Sequence, residues 1–328
     1  MKFTGACIAA LAALTVSSHA AELRLTGPYV RDNLSIYLVH GSDRVHTKYL
    51  TLSEGLAQNK VVVYETGDVN QLQVENLSKD DVYIQSGEIV KGGKQDRVLK
   101  DDIILPTKSG KVTVAAFCVE HGRWTQRGKE ESKSFAAAPN AISSPKLKAA
   151  VRDAKQNEVW SQVAAAQDKL ANNLKSRVKS AESESSYQLT LESPKLRETV
   201  AAFKQELAGL PARFPDSLGY VVAVNGEVTG SDVYAGHELF LKLWPKLLES
   251  VVVEAIAAGK PGEKFAAAPM DEVRQAATGN GAKVVADGKV NSRTGAVKAD
   301  LPQGTVFETR DSDSAGAGPV HRSYMKKQ

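Results

Sequence analysis

The sequence is poor in cysteine and in aromatic residues. Of 328 residues, two are cysteines and 6% are aromatic. Cys7 lies in an N-terminal apolar stretch, so loss of that stretch leaves Cys118 as the sole thiol and excludes an intramolecular disulfide. The fold therefore has to be held by packing. A chain of about 300 residues is long enough to bury the core that this requires.

Several short motifs of catalysis and metal binding are also missing. The sequence has no Gly-x-Ser-x-Gly, Cys-x-x-Cys or His-x-x-x-His pattern. The histidines after residue 20 are scattered without ligand spacing, at His40, His46, His121, His237 and His321. We therefore predict no metal site, and the sequence identifies no cofactor.

Charge of neither sign dominates. The formal net charge is +4, and removal of residues 1–20, which hold one lysine and no acidic residue, leaves +3. That excess is too small to predict a nucleic-acid partner. No apolar run of membrane length follows the N-terminus, so we predict no membrane span.

The N-terminus has the layout of a secretory signal peptide. Lys2 precedes the apolar residues 3–16, and Ser18 and Ala20 form a small-x-small cleavage pattern. We predict a cut after Ala20, or after Ala21, and a periplasmic or secreted protein. A cytosolic protein with an alanine-rich first helix is the alternative.

The rest of the chain, residues 21–328, is predicted to form a single α+β domain. Short β-rich runs separated by turns are typical of an antiparallel sandwich or open barrel. Strands are predicted at 35–40, 60–65, 71–76, 82–85, 102–105 and 112–120. Alternation in the last run places Cys118 on the face of Val112, Val114 and Ala116, which favours a buried structural cysteine over a nucleophile.

A helical middle follows, after an exposed connection predicted over 122–145. Apolar spacing predicts one helix along 160–174, interrupted by Gln167, and another from Pro194 to about Gly209, with a loop over 176–186 between them. Asn225-Gly226 predicts a hairpin.

The chain after this hairpin is predicted to return from helix to strand. Pro245 predicts either a kink or a short first turn before a second helix. Asp287-Gly288 predicts another hairpin, and late strands are predicted over 305–309 and 320–325, within a region of about 283–327.

One segment, residues 86–97, concentrates polar side chains between two strands. Gly92 and Gly93 permit positive φ angles and exposed N–H groups, while Lys91, Lys94 and Arg97 are donors for a phosphate or carboxylate. It is not a Walker A loop, because a glycine stands where the lysine belongs and no Ser or Thr follows Lys94. The plain alternative is a charged, solvated hairpin turn.

A second polar string, residues 120–124, ends the strand that carries Cys118. Arg123 is a candidate bidentate contact for an anion and Trp124 a stacking wall, the alternative being an arginine stacked on an exposed tryptophan. The candidate general acid/base or oxygen-ligand carboxylates are Glu88, Asp96 and Glu120.

These two strings, GEIVKGGKQDR at 87–97 and FCVEHGRW at 117–124, resemble the ARG-and-rhodanese-phosphatase-superfamily-associated protein domain, a family of bacterial proteins without an assigned activity. EVWSQV at 158–163, VNGEV at 224–228 and ELFLKLWPKLL at 238–248 extend the resemblance over about 25–265 and to the last strand. The family's name implies association with ADP-ribosylglycohydrolase-like and phosphatase-like proteins, and hence phosphorylated or nucleotide-derived ligands. The signal peptide departs from an intracellular setting.

Three functions follow as expectations. The first is binding of an anionic, phosphate-bearing or nucleotide-derived small molecule by Lys91, Gly92, Gly93, Lys94, Gln95, Arg97, Arg123 and Trp124. The second is a hydrolase of such a ligand that uses one of the candidate carboxylates. The third is an envelope protein whose helices bind a protein partner.

Overall fold

The computed structural model describes residues 23–45, 47–153, 155–260, 262–314 and 318–327. The predicted signal peptide lies outside these residues. The helices are α1 Leu52–Ala57, α2 Pro145–Arg152, α3 Gln156–Leu174, α4 Tyr187–Leu191, α5 Pro194–Leu207, α6 His237–Ala257 and α7 Met270–Thr278. The strands up to the helical middle are β1 Arg24–Arg31, β2 Leu34–His40, β3 Leu50–Thr51, β4 Val61–Tyr64, β5 Gln71–Asn76, β6 Val82–Ile84, β7 Glu88–Gly92, β8 Arg97–Leu99, β9 Ile103–Leu105, β10 Gly110–Cys118 and β11 Ser134–Ile142. The later strands are β12 Ser217–Val224, β13 Glu227–Tyr234, β14 Lys283–Lys289, β15 Thr294–Leu301, β16 Gly304–Asp311 and β17 His321–Lys326. The predicted α+β class, with an antiparallel β-rich first half and late strands, is confirmed.

Six strands of the first half form a barrel in the order β10-β5-β4-β11-β7-β8. The barrel is closed, whereas the sequence favoured a sandwich or an open barrel. Closure comes from β11, which pairs with β4 through Phe135 opposite Val63 and with β7 through Ala137 opposite Val90. Buried aliphatic side chains from these strands fill the interior.

The exposed connection predicted over 122–145 is therefore wrong in its second half. β11 escaped prediction because its alanine-rich run has low strand propensity. Its place in the barrel depends on Phe135, which is buried in the barrel core.

An eight-stranded sheet joins the two ends of the chain, in the order β1-β2-β12-β13-β17-β16-β15-β14. Alternate residues of its strands face opposite cores: Ile36 packs with α6, and Tyr37 packs with α7. A smaller sheet, β3-β6-β9, contains a parallel pair between β3 and β6.

The predicted helices along 160–174 and from Pro194 are present as α3 and α5. Gln167 lies in the apolar stripe of α3 because its amide has partners there. Its Nε2 donates to the Glu184 carbonyl at 2.9 Å and to Thr190 Oγ1 at 2.8 Å. A buried polar side chain whose donors are satisfied costs little in a helix stripe.

α6 runs unbroken through Pro245, so the alternative of two helices is wrong. The ring is exposed, and the proline removes the hydrogen bond to the carbonyl of Leu241, which is also exposed. Buried Phe240, Trp244 and Leu247 hold both halves of the helix against the core.

Of the two predicted hairpins, the first is confirmed. Asn225 and Gly226 have φ angles of 54° and 79°, as a primed two-residue turn requires. The second is misplaced, because Asp287 and Gly288 lie inside β14. The turn comes later, where Asn291 Oδ1 accepts hydrogen bonds from the backbone N–H groups of Arg293 and Thr294.

The late strands predicted over 305–309 and 320–325 are present as β16 and β17. Within the described ranges, no helix is long and apolar enough to cross a membrane.

Candidate functional site

The hairpin between β7 and β8 carries the first polar string. Its turn depends on glycine, because Gly92 has φ 120° and Gly93 has φ 55°. A Cβ atom on Gly93 would lie 2.2 Å from the Phe135 ring, so the turn is pressed against β11. The two glycines thus serve the geometry of the turn.

Three backbone N–H groups of this turn have acceptors within the protein. The Gly92 N–H donates to Asp96 Oδ1 at 3.1 Å, the Gly93 N–H to the Glu131 carbonyl at 2.9 Å and the Lys94 N–H to Glu65 Oε2 at 3.0 Å. These three amides therefore form no cradle for a ligand. Any ligand contact in the turn falls to side chains.

The two polar strings meet at one end of the barrel, because β8 pairs with β10 and sets Arg97 opposite Cys118. The Asp96 N–H donates to Glu120 Oε2 at 3.1 Å. Arg123 links the second string back to the first: its Nη1 and Nη2 donate to the carbonyls of Gly93 and Gly92 at 3.2 and 3.3 Å.

Asp96 is fully buried and is held by a residue that the sequence did not single out. Both terminal nitrogens of Arg127 donate hydrogen bonds to its carboxylate, at 2.8 and 2.9 Å, and Ser186 Oγ donates another at 2.9 Å. Burial raises the pKa of the Asp96 carboxyl, and Arg127 offsets only part of that rise.

Glu120 is the second buried carboxylate. Its Oε1 accepts from Arg123 Nε at 2.8 Å, and its Oε2 lies 2.7 Å from Arg123 Nη2. Burial alone would raise the pKa of Glu120, but the hydrogen bonds, that of Arg123 foremost, outweigh it and lower the pKa. Arg123 is therefore a structural partner of Glu120 in this state.

Two other candidates are paired elsewhere. Lys91 Nζ lies 2.7 Å from Glu192 Oε1 and 3.7 Å from Glu130. Glu88 is buried near α6, where Lys246 Nζ donates to it at 2.9 Å. Asp96 and Glu120 come together, whereas Glu88 contacts neither.

Arg97 is the fully buried cation of the site, and only part of its guanidinium is satisfied. Its Nη1 donates to Cys118 Sγ at 2.9 Å and, at 3.4 Å, to Gln95, which is also buried. Nε and Nη2 have no hydrogen-bond partner among the described residues, and Glu65 Oε2 is 3.7 Å from Nη2. These two donors share one edge of the guanidinium, the edge that binds a carboxylate or phosphate with two hydrogen bonds.

Trp124 covers this arginine. The Arg97 guanidinium carbon lies 5.4 Å from the centroid of the indole ring, and Lys94 Nζ lies 5.1 Å from the same centroid. Trp124 as a whole residue is 40% exposed. No carboxylate among the described residues forms an ion pair with Lys94.

Cys118 is buried, as predicted. Burial raises the pKa of its thiol to about 11, so the group is a neutral thiol at ordinary pH and a poor nucleophile. The sulfur serves as an acceptor for Arg97.

The sequence profile of the ARG and Rhodanese-Phosphatase-superfamily-associated Protein domain matches residues 22–315. The chain belongs to that family. No curated protein and no solved structure matches it.

In this member of the family, the site is an electrically balanced cluster. Three arginines lie against three carboxylates, and no side chain among the six is more than 10% exposed: Arg97, Arg123 and Arg127 against Glu65, Asp96 and Glu120. Sequence reasoning missed Arg127, Ser186 and Glu65. The two strings hold three acidic residues, Glu88, Asp96 and Glu120, against four basic ones, Lys91, Lys94, Arg97 and Arg123, so their charge count gave no signal of a further buried cation.

Proposed function

We propose that this protein binds an anionic small molecule, phosphate-bearing or nucleotide-derived, at the barrel end through Arg97, Lys94 and Trp124. One observation carries the proposal: the buried edge of Arg97, where neither Nε nor Nη2 has an acceptor in the part of the chain that the structure describes. A buried donor without a partner costs about 1–3 kcal/mol, and more when it is charged. An anion that supplies two oxygens would remove that cost.

The neighbours of Arg97 suit the same ligand. Lys94 adds a positive charge without a carboxylate partner among the described residues, and the exposed indole of Trp124 offers a flat apolar face for a base. Of the cations expected from sequence, Lys91 is paired with Glu192 and Arg123 with Glu120, so neither is assigned to the ligand.

Binding is favoured over hydrolysis because the candidate carboxylates are occupied. Asp96 and Glu120 are fully buried, and their oxygens accept hydrogen bonds from Arg127, Arg123 and Ser186. A general base needs a free lone pair within reach of the substrate proton.

Thermal unfolding of residues 21–328 against inorganic phosphate, nucleotides, ADP-ribose and divalent metal ions tests the proposal. A ligand at a hundredfold its Kd is expected to add about 2.7 kcal/mol of stability. Lys94→Ala and Arg97→Lys, the latter keeping the charge and losing the two-donor edge, are expected to remove that gain.

The matched control is Lys111→Ala. Lys111 Nζ lies 4.3 Å from the centroid of the Tyr64 ring on the same barrel, so it is another lysine on an aromatic face outside the site. The gain should survive in this variant. A panel without any stabilising anion, or a gain that persists in Lys94→Ala and Arg97→Lys, contradicts the proposal.

Export is part of the same proposal. It rests on the order of Lys2, the apolar stretch and the small residues at Ser18 and Ala20. Intact-mass measurement of the protein from the cell envelope or medium is expected to give a chain that starts at Ala21 or Glu22. A full-length chain in the cytosol would overturn this part.

A further inference from the structure

A cavity of about 660 Å³ lies away from the barrel end, and no residue of the candidate site lines it. Its walls come from α3, the start of α2, the end of α6, the β12–β13 hairpin and the end of β17. Cavities of about 300–1,000 Å³ are the usual size for small-molecule sites.

The floor of this cavity holds a buried carboxylate, Glu254. Its Oε2 accepts a hydrogen bond of 3.4 Å from the backbone N–H of Lys146 near the start of α2, and Thr229 lies beside it. Burial raises the pKa of Glu254 to about 7. The group can therefore accept a hydrogen bond from a ligand, or donate one, near neutral pH.

The rim is strongly cationic. Five lysines line the cavity: Lys146, Lys169, Lys260, Lys326 and Lys327. Three of these lysines have partners: Lys326 Nζ lies 2.7 Å from Glu227, the other acidic residue of the lining, Lys260 Nζ lies 3.5 Å from Glu263 outside the lining, and Lys327 Nζ donates to the Leu301 carbonyl at 3.0 Å. The lining thus carries an excess of positive charge around one buried acid, which suits a ligand with an anionic group at its outer end.

Part of the lining is apolar. An adjoining recess that shares Lys169 and Glu254 with the cavity is lined in part by Leu147, Tyr187 and Val253. Phe265 lines the cavity itself. Apolar walls with a few polar groups are typical of sites that orient a small organic molecule.

We propose that this cavity is a second ligand site, for a small molecule that joins a phosphate or carboxylate group to a hydroxyl-bearing body. The lysines of the rim hold the anionic group, and Glu254 hydrogen-bonds a hydroxyl at the floor. A ligand with only one of these two groups would not contact the whole lining. An inorganic anion would leave Glu254 without a contact, and a neutral polyol would leave the lysines without one.

Isothermal titration calorimetry with ribose 5-phosphate, inorganic phosphate and ribose tests the proposal. Ribose 5-phosphate carries both the anionic group and the hydroxyls, inorganic phosphate carries only the anionic group, and ribose carries only the hydroxyls. Because the barrel end is also proposed to take anions, the titrations use Arg97→Lys protein as well as the unchanged protein. Saturable binding of ribose 5-phosphate is expected in both, at least about tenfold tighter than either control, a difference of about 1.4 kcal/mol.

Two variants assign the binding to the cavity. Lys169→Glu and Glu254→Gln, made in the Arg97→Lys background, are expected to weaken ribose 5-phosphate binding at least about tenfold. Lys289→Glu, an exposed lysine of β14 outside the lining, should leave it unchanged. Absence of saturable binding, equal binding of inorganic phosphate, or binding that survives Lys169→Glu overturns this site without touching the barrel-end proposal.

Discussion

Replacing Arg127 with alanine is expected to lower the free energy of unfolding by about 3–5 kcal/mol. The guanidinium is almost fully buried and is bidentate to Asp96, which has no exposed surface. Its Nη1 also lies 3.4 Å from Glu120. Removal of the arginine leaves buried carboxylate charge without its main partner. Urea unfolding monitored by circular dichroism measures the loss.

Arg177→Ala is the matched control for this prediction. Arg177 also pairs with a carboxylate, Glu184, at 2.5 Å, but both side chains are about two-thirds exposed. Surface pairs of this kind contribute about 0–1 kcal/mol. Equal losses in the two variants would show that the barrel-end cluster is not desolvated as described.

Replacing His321 with glutamine is expected to cost on the order of 3 kcal/mol near pH 6. The imidazole is fully buried between two carboxylates, with Nδ1 2.7 Å from Asp102 and Nε2 3.0 Å from Asp232. It also stacks on Tyr234 at a centroid distance of 4.5 Å. His40→Gln is the control, since His40 pairs with one half-exposed carboxylate and should cost less.

The cost of His321→Gln is expected to depend on pH. Burial alone would lower the pKa of His321, but the two carboxylates, Asp102 foremost, outweigh burial and raise it. The stabilising contribution is thus complete below the ordinary histidine pKa of about 6.5 and is lost as pH rises through the raised folded-state pKa. Denaturant unfolding at several pH values from about 6 to about 9 should show the two proteins converging. A gap that widens with pH contradicts this charge state.

The local features of the candidate site can be predicted from the sequence. The contacts between its side chains, which come from distant parts of the chain, cannot. Adjacent Gly92 and Gly93 predict a turn with positive φ, and alternation predicts a buried Cys118. The contact between Asp96 and Glu120 depends on β8 lying beside β10, a pairing that no local pattern specifies. A sequence does not show which cations are paired in the folded chain, so the ion pair between Lys91 and Glu192 could not be predicted.

In the fold as well, local elements can be predicted from the sequence and long-range pairings cannot. Helices α3 and α5 and the Asn225-Gly226 hairpin follow from strong local signals of spacing and turn chemistry. β11 does not, because an alanine-rich strand is held by its neighbours in the barrel and by the burial of Phe135. Barrel closure and the joining of β2 to β12 are long-range pairings that only the folded chain specifies.

The most direct test of anion binding at the barrel end is NMR of the Arg97 Nε–H group during titration with ADP-ribose. Arg97→Lys protein, which lacks this group, identifies its signal. Because Nε has no acceptor within the described ranges, an anion that binds this edge is expected to move the resonance in a saturable way, and Lys94→Ala is expected to weaken that response. A resonance that stays in place throughout titrations with both ADP-ribose and inorganic phosphate would contradict the account.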